Sequence, residues 1–229
     1  MITDPPLLTL RADFPRPAQV IVEAFRGVPT GNIVDAMGGV GALDYRIKPL
    51  EPANAAMVGI ALTCDNGPAD NLALFGALSI AAAGDVLVAA TGAYTGAAVT
   101  GDLMLGMARN RGVIGFVTDG MVRDIVGIEG VGLPVHCAGV TPNSPVRNGP
   151  GMVGQPVYIG GLRVESGDIV IGDRDGVVVV PRARAEAVLG ALQEVRRAEA
   201  ALEAKVKAGL EIPDFVKAVL ESDRVRKVT

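Results

Sequence analysis

Residues 99–124 read VTGDLMLGMARNRGVIGFVTDGMVRD. Asp102 starts a short amphipathic helix, LMLGMARNRG, which Gly112 closes. The apolar run VIGFVTDG (113–120) then reads as a buried strand, and MVRDIVGIEGVG contains another short helix. The same cycle appears on both sides. Upstream, MVGIALTC (57–64) is a strand, Asp70-Asn71 opens a helix over LALFGALSIAAAG stopped by Gly84, and Asp85 leads into the strand VLVAAT. Downstream, LPVHCAG is a strand. Helix and strand alternating from 72 to 138 predict an α/β fold with a mainly parallel sheet covered by helices.

The flanks differ in character. Pro15 and Pro17 precede a short helix in AQVIVEAFRG, and Pro29-Thr30-Gly31-Asn32 starts a second one ended by GGVG (38–41). Residues 92–101 (GAYTGAAVTG) and 142–156 read as loops. Four short strands follow, in PVYIGG, LRVES, DIVIGD and GVVVVP, the last two joined by a hairpin turn at Asp173-Arg174-Asp175-Gly176. Arg182 to Gly209 reads as one long amphipathic helix, Pro213 ends it, and a short helix closes the chain. The expected division is a catalytic α/β domain over 1–181 and a helical tail over 182–229, packing on its own or a neighbouring subunit.

Composition excludes several functions. Hydrophobic residues make up 49% and charged residues 20%, so the chain is not disordered. A net charge of −4 and 3% aromatics leave neither a basic footprint for nucleic acid nor stacking platforms for single strands. The longest uncharged stretch, Val86 to Gly101, is broken by glycines and threonines and predicts no membrane span. With two cysteines and no leader pattern at the N-terminus, a cytoplasmic protein with two reduced, buried thiols is expected.

The side-chain inventory narrows the chemistry. His136 is the one histidine and sits on an apolar strand beside Cys137, which suits a core position. Neither a nucleophile elbow nor a dinucleotide-binding glycine fingerprint is present. No lysine lies between Lys48 and Lys205, and Lys48 stands beside Pro49 in a surface turn, so Schiff-base chemistry is not expected. Carboxylates and arginine remain. Asp102, at a helix start, reads as an N-cap or as part of an anion site on the free helix amides. Arg123-Asp124 lies just beyond a strand and reads as a surface ion pair or as a partner to Asp102, since ligands of open α/β sheets gather past the carboxyl ends of strands. Carboxylates there would select Mg²⁺ or Mn²⁺ over zinc. Asp85 and Asp168 occur in matching stretches, AGDVLV and SGDIVI, and a Gly-Asp turn feeding a buried strand explains both.

Asp102, twenty intervening residues, then Arg123-Asp124 is a D-X20-R-D signature. With AGDVLVAA (83–90), LPVHCAGVTP (133–142), VRNGPG (146–151) and PVYIGGLRVESGDIVIGDRDGVVVVP (156–181), it makes the chain resemble the RraA-like family from about Asn32 to Lys205. The likeness is to its aldolase branch, the 4-hydroxy-4-methyl-2-oxoglutarate / 4-carboxy-4-hydroxy-2-oxoadipate aldolases. The resemblance implies a layered β/β/α core as in swivelling phosphohistidine domains, and trimers or hexamers with sites between subunits. It also implies retro-aldol cleavage of a 4-hydroxy-2-oxo acid to pyruvate, with oxaloacetate decarboxylation through the same enolate. By the same resemblance, Asp124 binds Mg²⁺ or Mn²⁺, with Asp102 contacting it directly or through water. Arg123 then sits on the pyruvate oxygens. Gly101 and the amides of Leu103 and Met104 hold the pyruvate carboxylate, and Glu199 reaches the site from the adjacent subunit. A branch of similar fold that regulates ribonuclease E without catalysis is the alternative; it tends to lack the complete acid-plus-Arg-Asp set that this chain carries.

Overall fold

The computed structural model describes residues 4–228. Its first half runs β1 (Leu8–Leu10), α1 (Gln19–Glu23), α2 (Thr30–Ala36), β2 (Lys48–Pro49), β3 (Met57–Asp65), α3 (Leu72–Ala77), β4 (Asp85–Ala90), β5 (Ala98–Thr100), α4 (Asp102–Asn110) and β6 (Gly115–Thr118). The second half adds β7 (Met121–Val122), α5 (Ile125–Val131), β8 (Val135–Cys137), β9 (Gly139–Val140), β10 (Gly151–Val153) and β11 (Val157–Ile159). It continues with β12 (Leu162–Val164), β13 (Ile169–Gly172), β14 (Val177–Val180), α6 (Ala185–Lys207) and α7 (Asp214–Leu220).

β3 is the organising strand. Side chains alternate across a strand, and here both faces are covered. Val58, Ile60, Leu62 and Cys64 enter a core shared with the helices, while Met57 and Ala61 enter a second core under the β11–β12 hairpin. That two-sided burial is why MVGIALTC is a nearly continuous apolar run, interrupted only by Thr63, whose hydroxyl donates to the Gln155 carbonyl. β4, β6 and β8 continue the sheet in parallel from β3. The helix-side core takes Val22, Ile33, Leu74, Leu105, Ile128 and Val188 from α1 to α6, and the opposite core takes Val157, Ile159 and Val164 from the hairpin. Helices, sheet and hairpin therefore stack as layers. Gly160 and Gly161, at φ 54° and 82°, make the tight hairpin turn that needs two left-handed residues.

The sheet is parallel only in its middle. β3's outer edge forks: β13 pairs antiparallel with Met57–Ile60, and β10 pairs antiparallel with Cys64 and Asp65. β14 folds back on β13, β2 runs antiparallel to β8, and β1 lies parallel to β10. The 142–156 segment, read as loop, thus contains a sheet strand. The 92–101 loop ends in β5, which with β7 and β9 forms a separate parallel sheet. The helix expected to run to Gly84 stops at Ala77, where the Ser79 and Ile80 amides donate to the Gly76 and Ala77 carbonyls at 3.0 and 3.1 Å and turn the chain, with the Ser79 hydroxyl also on the Gly76 carbonyl. The turn at 173–176 closes as expected, with the Asp173 amide donating to the Gly176 carbonyl.

α6 buries Ala185, Val188 and Leu192 in its first turns and nothing beyond them. Among the described residues no helix is long and apolar enough to cross a membrane.

Candidate active site

The small β5–β7–β9 sheet brings the signature residues together. Parallel pairing of Ala98 with Met121 and Thr100 with Val122 sets the chain after β5 beside the chain after β7. The Arg123 amide seals the corner by donating to the Thr100 carbonyl at 3.1 Å. α4 and α5 then start side by side, so Asp102 and Arg123-Asp124 share one edge despite the twenty residues between them.

The local backbone is specific to these residue types. Gly101, not Asp102, is the N-cap of α4; Asp102 is the first helical residue and its Oδ1 accepts the Leu103 amide at 2.7 Å. Asp124 caps α5 in the left-handed region, φ 62° and ψ 48°, a conformation that Asp tolerates better than most side chains. Each carboxylate lies against a glycine. A Cβ on Gly101 would sit 2.4 Å from Asp124 Oδ2, and one on Gly127 would sit 2.2 Å from Asp102 Oδ2. Arg123 Nε stands 3.3 Å from Asp124 Oδ2, and its guanidinium also donates to the Ser144 hydroxyl. Arg123 and Asp124 are both partly open to solvent, so this pair adds little stability.

These groups face a cleft of about 190 Å³ whose other wall is Asn71, Phe75 and Arg147. Asp70 builds that wall. Its buried carboxylate accepts the Leu72 amide at 2.8 Å and the Asn148 and Gly149 amides at 2.6 and 3.0 Å. The Asn71 amide donates to the Val146 carbonyl, and the Val146 amide to Ala69. α3 and the 146–149 loop are thereby locked together, with the Arg147 guanidinium 5.1 Å above the Phe75 ring. Asn71 and Arg147 were not singled out as site residues in the sequence. Arg147 lies within VRNGPG, one of the stretches that carry the RraA-like resemblance, but an exposed loop arginine and a helix-start asparagine carry no periodic signal.

Of the residues expected from sequence, Gly101, Asp102, Leu103, Met104, Arg123 and Asp124 all line the cleft. Glu199 does not. It accepts a hydrogen bond from the Asn32 amide group of its own chain at 2.6 Å, on the α2–α6 side. Among the described residues no three His, Cys, Asp or Glu side chains gather into a metal-binding group. Two carboxylates still fit Mg²⁺, which keeps most of its waters and takes only one or two protein oxygens. They do not fit zinc.

Other candidate groups are occupied. A larger cavity of about 350 Å³ lies on the hairpin side, bordered by Asp119. That carboxylate is spent on the Thr91 amide and hydroxyl and the Ala93 amide, at 2.7–2.9 Å. His136 is fully buried, with Nε2 at 3.0 Å from the Asp173 carbonyl oxygen, and burial lowers its pKa. Both cysteines are buried, and burial pushes the Cys137 thiol up to about 11 and Cys64 further, which favours the thiol over the thiolate. The exposed Lys48 bonds the Asp175 carbonyl in an edge strand.

Residues 30–179 match the family model described as RraA-like, Aldolase/RraA. A protein of Halalkalibacterium halodurans, whose name gives it provisionally as a 4-hydroxy-4-methyl-2-oxoglutarate aldolase, is 37% identical over 86% of this chain and 91% of its own length. Among solved structures, Streptomyces coelicolor RraAS2, described as an unusual member of the RNase ES inhibitor RraA protein family, superposes with a TM-score of 0.73 at 26% identity. That match covers 83% of this chain and 100% of the other. An uncharacterized protein from Pseudomonas syringae pv. tomato superposes with a TM-score of 0.75 at 25% identity, covering 86% and 96% of the two chains.

Proposed function

The chain belongs to the RraA-like family, and from that premise we propose that it is a divalent-metal-dependent lyase cleaving a 4-hydroxy-2-oxo acid to pyruvate and a second oxo acid. The observation that carries this reading is the meeting of Asp102 with Arg123-Asp124 at the start of α4. Asp124 would hold Mg²⁺ or Mn²⁺, with Asp102 contacting it directly or through water. When bound, the ion supplies Lewis-acid polarisation of the substrate's 2-oxo group.

The chain's own groups do the rest. Gly101 and the free amides at the α4 N-terminus receive the substrate's 1-carboxylate, where the helix dipole favours an anion. The Leu103 amide exchanges its bond to Asp102 Oδ1 for this carboxylate, and Met104 supplies the next amide. Asp102, through a water, takes the proton from the C4 hydroxyl. As the C4 carbonyl forms, the C3–C4 bond breaks and its electron pair moves into the pyruvate enolate. Arg123 donates to the enolate oxygen, where the charge develops. A proton delivered to C3 gives pyruvate. Oxaloacetate reaches the same enolate by losing carbon dioxide, so decarboxylation accompanies cleavage. Glu199 joins from the neighbouring subunit of a homotrimer or hexamer and orders the proton-carrying water. Within one chain its place beside Asn32 leaves the cleft without it.

The test is pyruvate release from a panel of 4-hydroxy-2-oxo acids and oxaloacetate, with Mg²⁺ and with chelator. Metal-dependent release is expected. The similarity to RraAS2 favours a second reading, a trimeric non-catalytic regulator of ribonuclease E-type RNA degradation. A protein silent on every substrate, yet captured by an RNA-degrading assembly, would replace the lyase with that reading.

A further inference from the structure

The cavity on the hairpin side takes no part in the cleavage reaction. One wall is the carboxyl edge of the parallel sheet: Ala93 and Thr95 follow β4, Asp119 follows β6 and Ala138 follows β8. Ligands of open α/β sheets gather at that edge. The β11–β12 turn and residues 44–47 form the other wall. At about 350 Å³ the cavity is nearly twice the size of the cleft, and it falls within the roughly 300–1,000 Å³ of small-molecule sites. Its walls are pinned. The Asp44 amide donates to the Gly160 carbonyl at 2.9 Å and the Ala138 amide to the Gly120 carbonyl at 3.0 Å. Ala93 stands at φ 57°, a conformation alanine rarely takes, and the bond from its amide to Asp119 holds it there.

All three tyrosines of the chain gather here. Tyr158 lines the cavity, Tyr94 lies between Ala93 and Thr95, and Tyr45 lies between Asp44 and Arg46. All three are exposed, so the fold has not used them as core. The charges around the cavity cancel. Asp119 accepts three donors, and Asp44 takes Arg46 Nε and Nη2 at 2.9 Å each. Arg46 Nη1 and the Thr95 hydroxyl enter no hydrogen bond among the described residues.

We propose that this cavity is a second ligand site, for a planar, uncharged ring compound that carries a carbonyl or hydroxyl oxygen. The ring stacks on Tyr158 against the apolar wall of Ile47 and Ile159. The oxygen accepts from Arg46 Nη1 or meets the Thr95 hydroxyl. A charged ligand gains little, because each charge in the wall already has its counterpart and a buried ion needs one of its own. The site is separate from the cleft. The segments that line it run on through β5 and β7 before they reach Gly101-Asp102 and Arg123-Asp124, so the proposal stands whether or not the chain is a lyase.

Three probes test it: benzamide is planar and uncharged, cyclohexanecarboxamide has the same amide on a puckered ring, and benzoate is planar but anionic. Ligand-observed NMR titration of the full-length protein should give benzamide a Kd on the order of 1 mM, the range open to so small a molecule. The other two should bind about 3- to 10-fold more weakly, the size of one aromatic pair. Tyr158→Ala should weaken benzamide by a similar factor, and Tyr158→Phe, which keeps the ring, should not. Tyr158 is exposed, so both variants should keep the wild-type urea midpoint. Excess pyruvate with Mg²⁺ should leave benzamide bound. Displacement by pyruvate would put the ring in the cleft and overturn the site. Equal binding of the puckered ring, tighter binding of benzoate, or full affinity in Tyr158→Ala would overturn it too. No benzamide binding at all would also overturn it, and would turn the three tyrosines over to a contact between protein surfaces.

Discussion

Four aspartates in this chain directly follow a glycine: Asp85, Asp102, Asp168 and Asp173. Three serve the sheet and one faces the cleft. Asp85 is fully buried, bonded by both arms of Arg16 at 2.5 and 3.0 Å and by the Ala82 amide. Asp168 accepts the Glu165 and Arg182 amides, and Asp173 accepts the Thr30 amide and hydroxyl and the Asp175 amide. Asp102 has one bond, to the amide of the next residue. Local sequence sets the turn in all four. What faces the turn decides whether the carboxylate is consumed by folding or left for chemistry.

The contrast predicts opposite mutant phenotypes, and the largest effect falls on the structural side. Asp85→Ala removes a fully buried carboxylate with the two Arg16 bonds and the Ala82 amide bond that it accepts, and should cost about 3–5 kcal/mol in urea unfolding. Asp102→Asn should stay within about 0.5 kcal/mol of wild type while slowing pyruvate release. An Asp102→Asn protein destabilised as much as Asp85→Ala would erase the distinction. Next is Arg123→Ala. Losing a donor aimed at developing charge should cut kcat about 10²–10³-fold, for cleavage and decarboxylation alike. Arg123→Lys should recover only part, because a point charge does not reproduce the planar fork. Loss of cleavage with decarboxylation intact would move Arg123 to the other half of the substrate.

A smaller effect tests the subunit boundary. Asp124→Asn should weaken Mg²⁺ binding measured directly by calorimetry, and Glu199→Gln should leave it nearly unchanged while lowering turnover. Co-assembled, the two mutants should regain partial activity, since some interfaces then pair an intact Asp124 with a neighbour's intact Glu199. Mixed oligomers as inactive as their parents would confine Glu199 to its own chain, where it already bonds Asn32.

The same contrast explains what was legible beforehand. β3, β4, β13 and β14 were readable because strands covered on both faces are apolar at nearly every position. The D-X20-R-D signature was readable through its resemblance to the RraA-like family, but the β5–β7 pairing that turns its fixed spacing into proximity was not, since 92–101 reads as a loop. β10 escaped notice because three residues after Pro150, with Met152 exposed between Gly151 and Val153, are too few to show a period. α3 was read too long because its end is a tightening of the backbone to i→i−3 bonds at Ser79 and Ile80, ahead of the Gly84 that the sequence offers as a stop. The Asn71–Arg147 wall was hidden for a different reason. It is assembled by Asp70 holding a loop distant in sequence, and nothing in the composition of VRNGPG marks such a clamp.

The smallest expected effect is a pH slope from His136, a buried side chain of β8 that folding has only half satisfied. His136 Nε2 meets the Asp173 carbonyl, but Nδ1 has no partner. Burial, the larger influence, disfavours the charged ring; the Asp173 carbonyl and carboxylate oppose it, and Lys48 adds to it, leaving the pKa below its ordinary 6.5. The unfolded chain therefore binds the proton first as pH falls. Stability from keeping His136 neutral is fully present above about 6.5, declines as pH drops below that value, and levels off once the folded protein is protonated too. Gln has no titration in this range and keeps a donor for the Asp173 carbonyl, so His136→Gln should flatten unfolding free energy between pH 7 and the acid carboxylate transitions, measured by urea midpoints across about pH 5 to 8. An unchanged slope in the mutant would assign the acid sensitivity to carboxylates instead, and would place His136 with the satisfied groups such as Asp85.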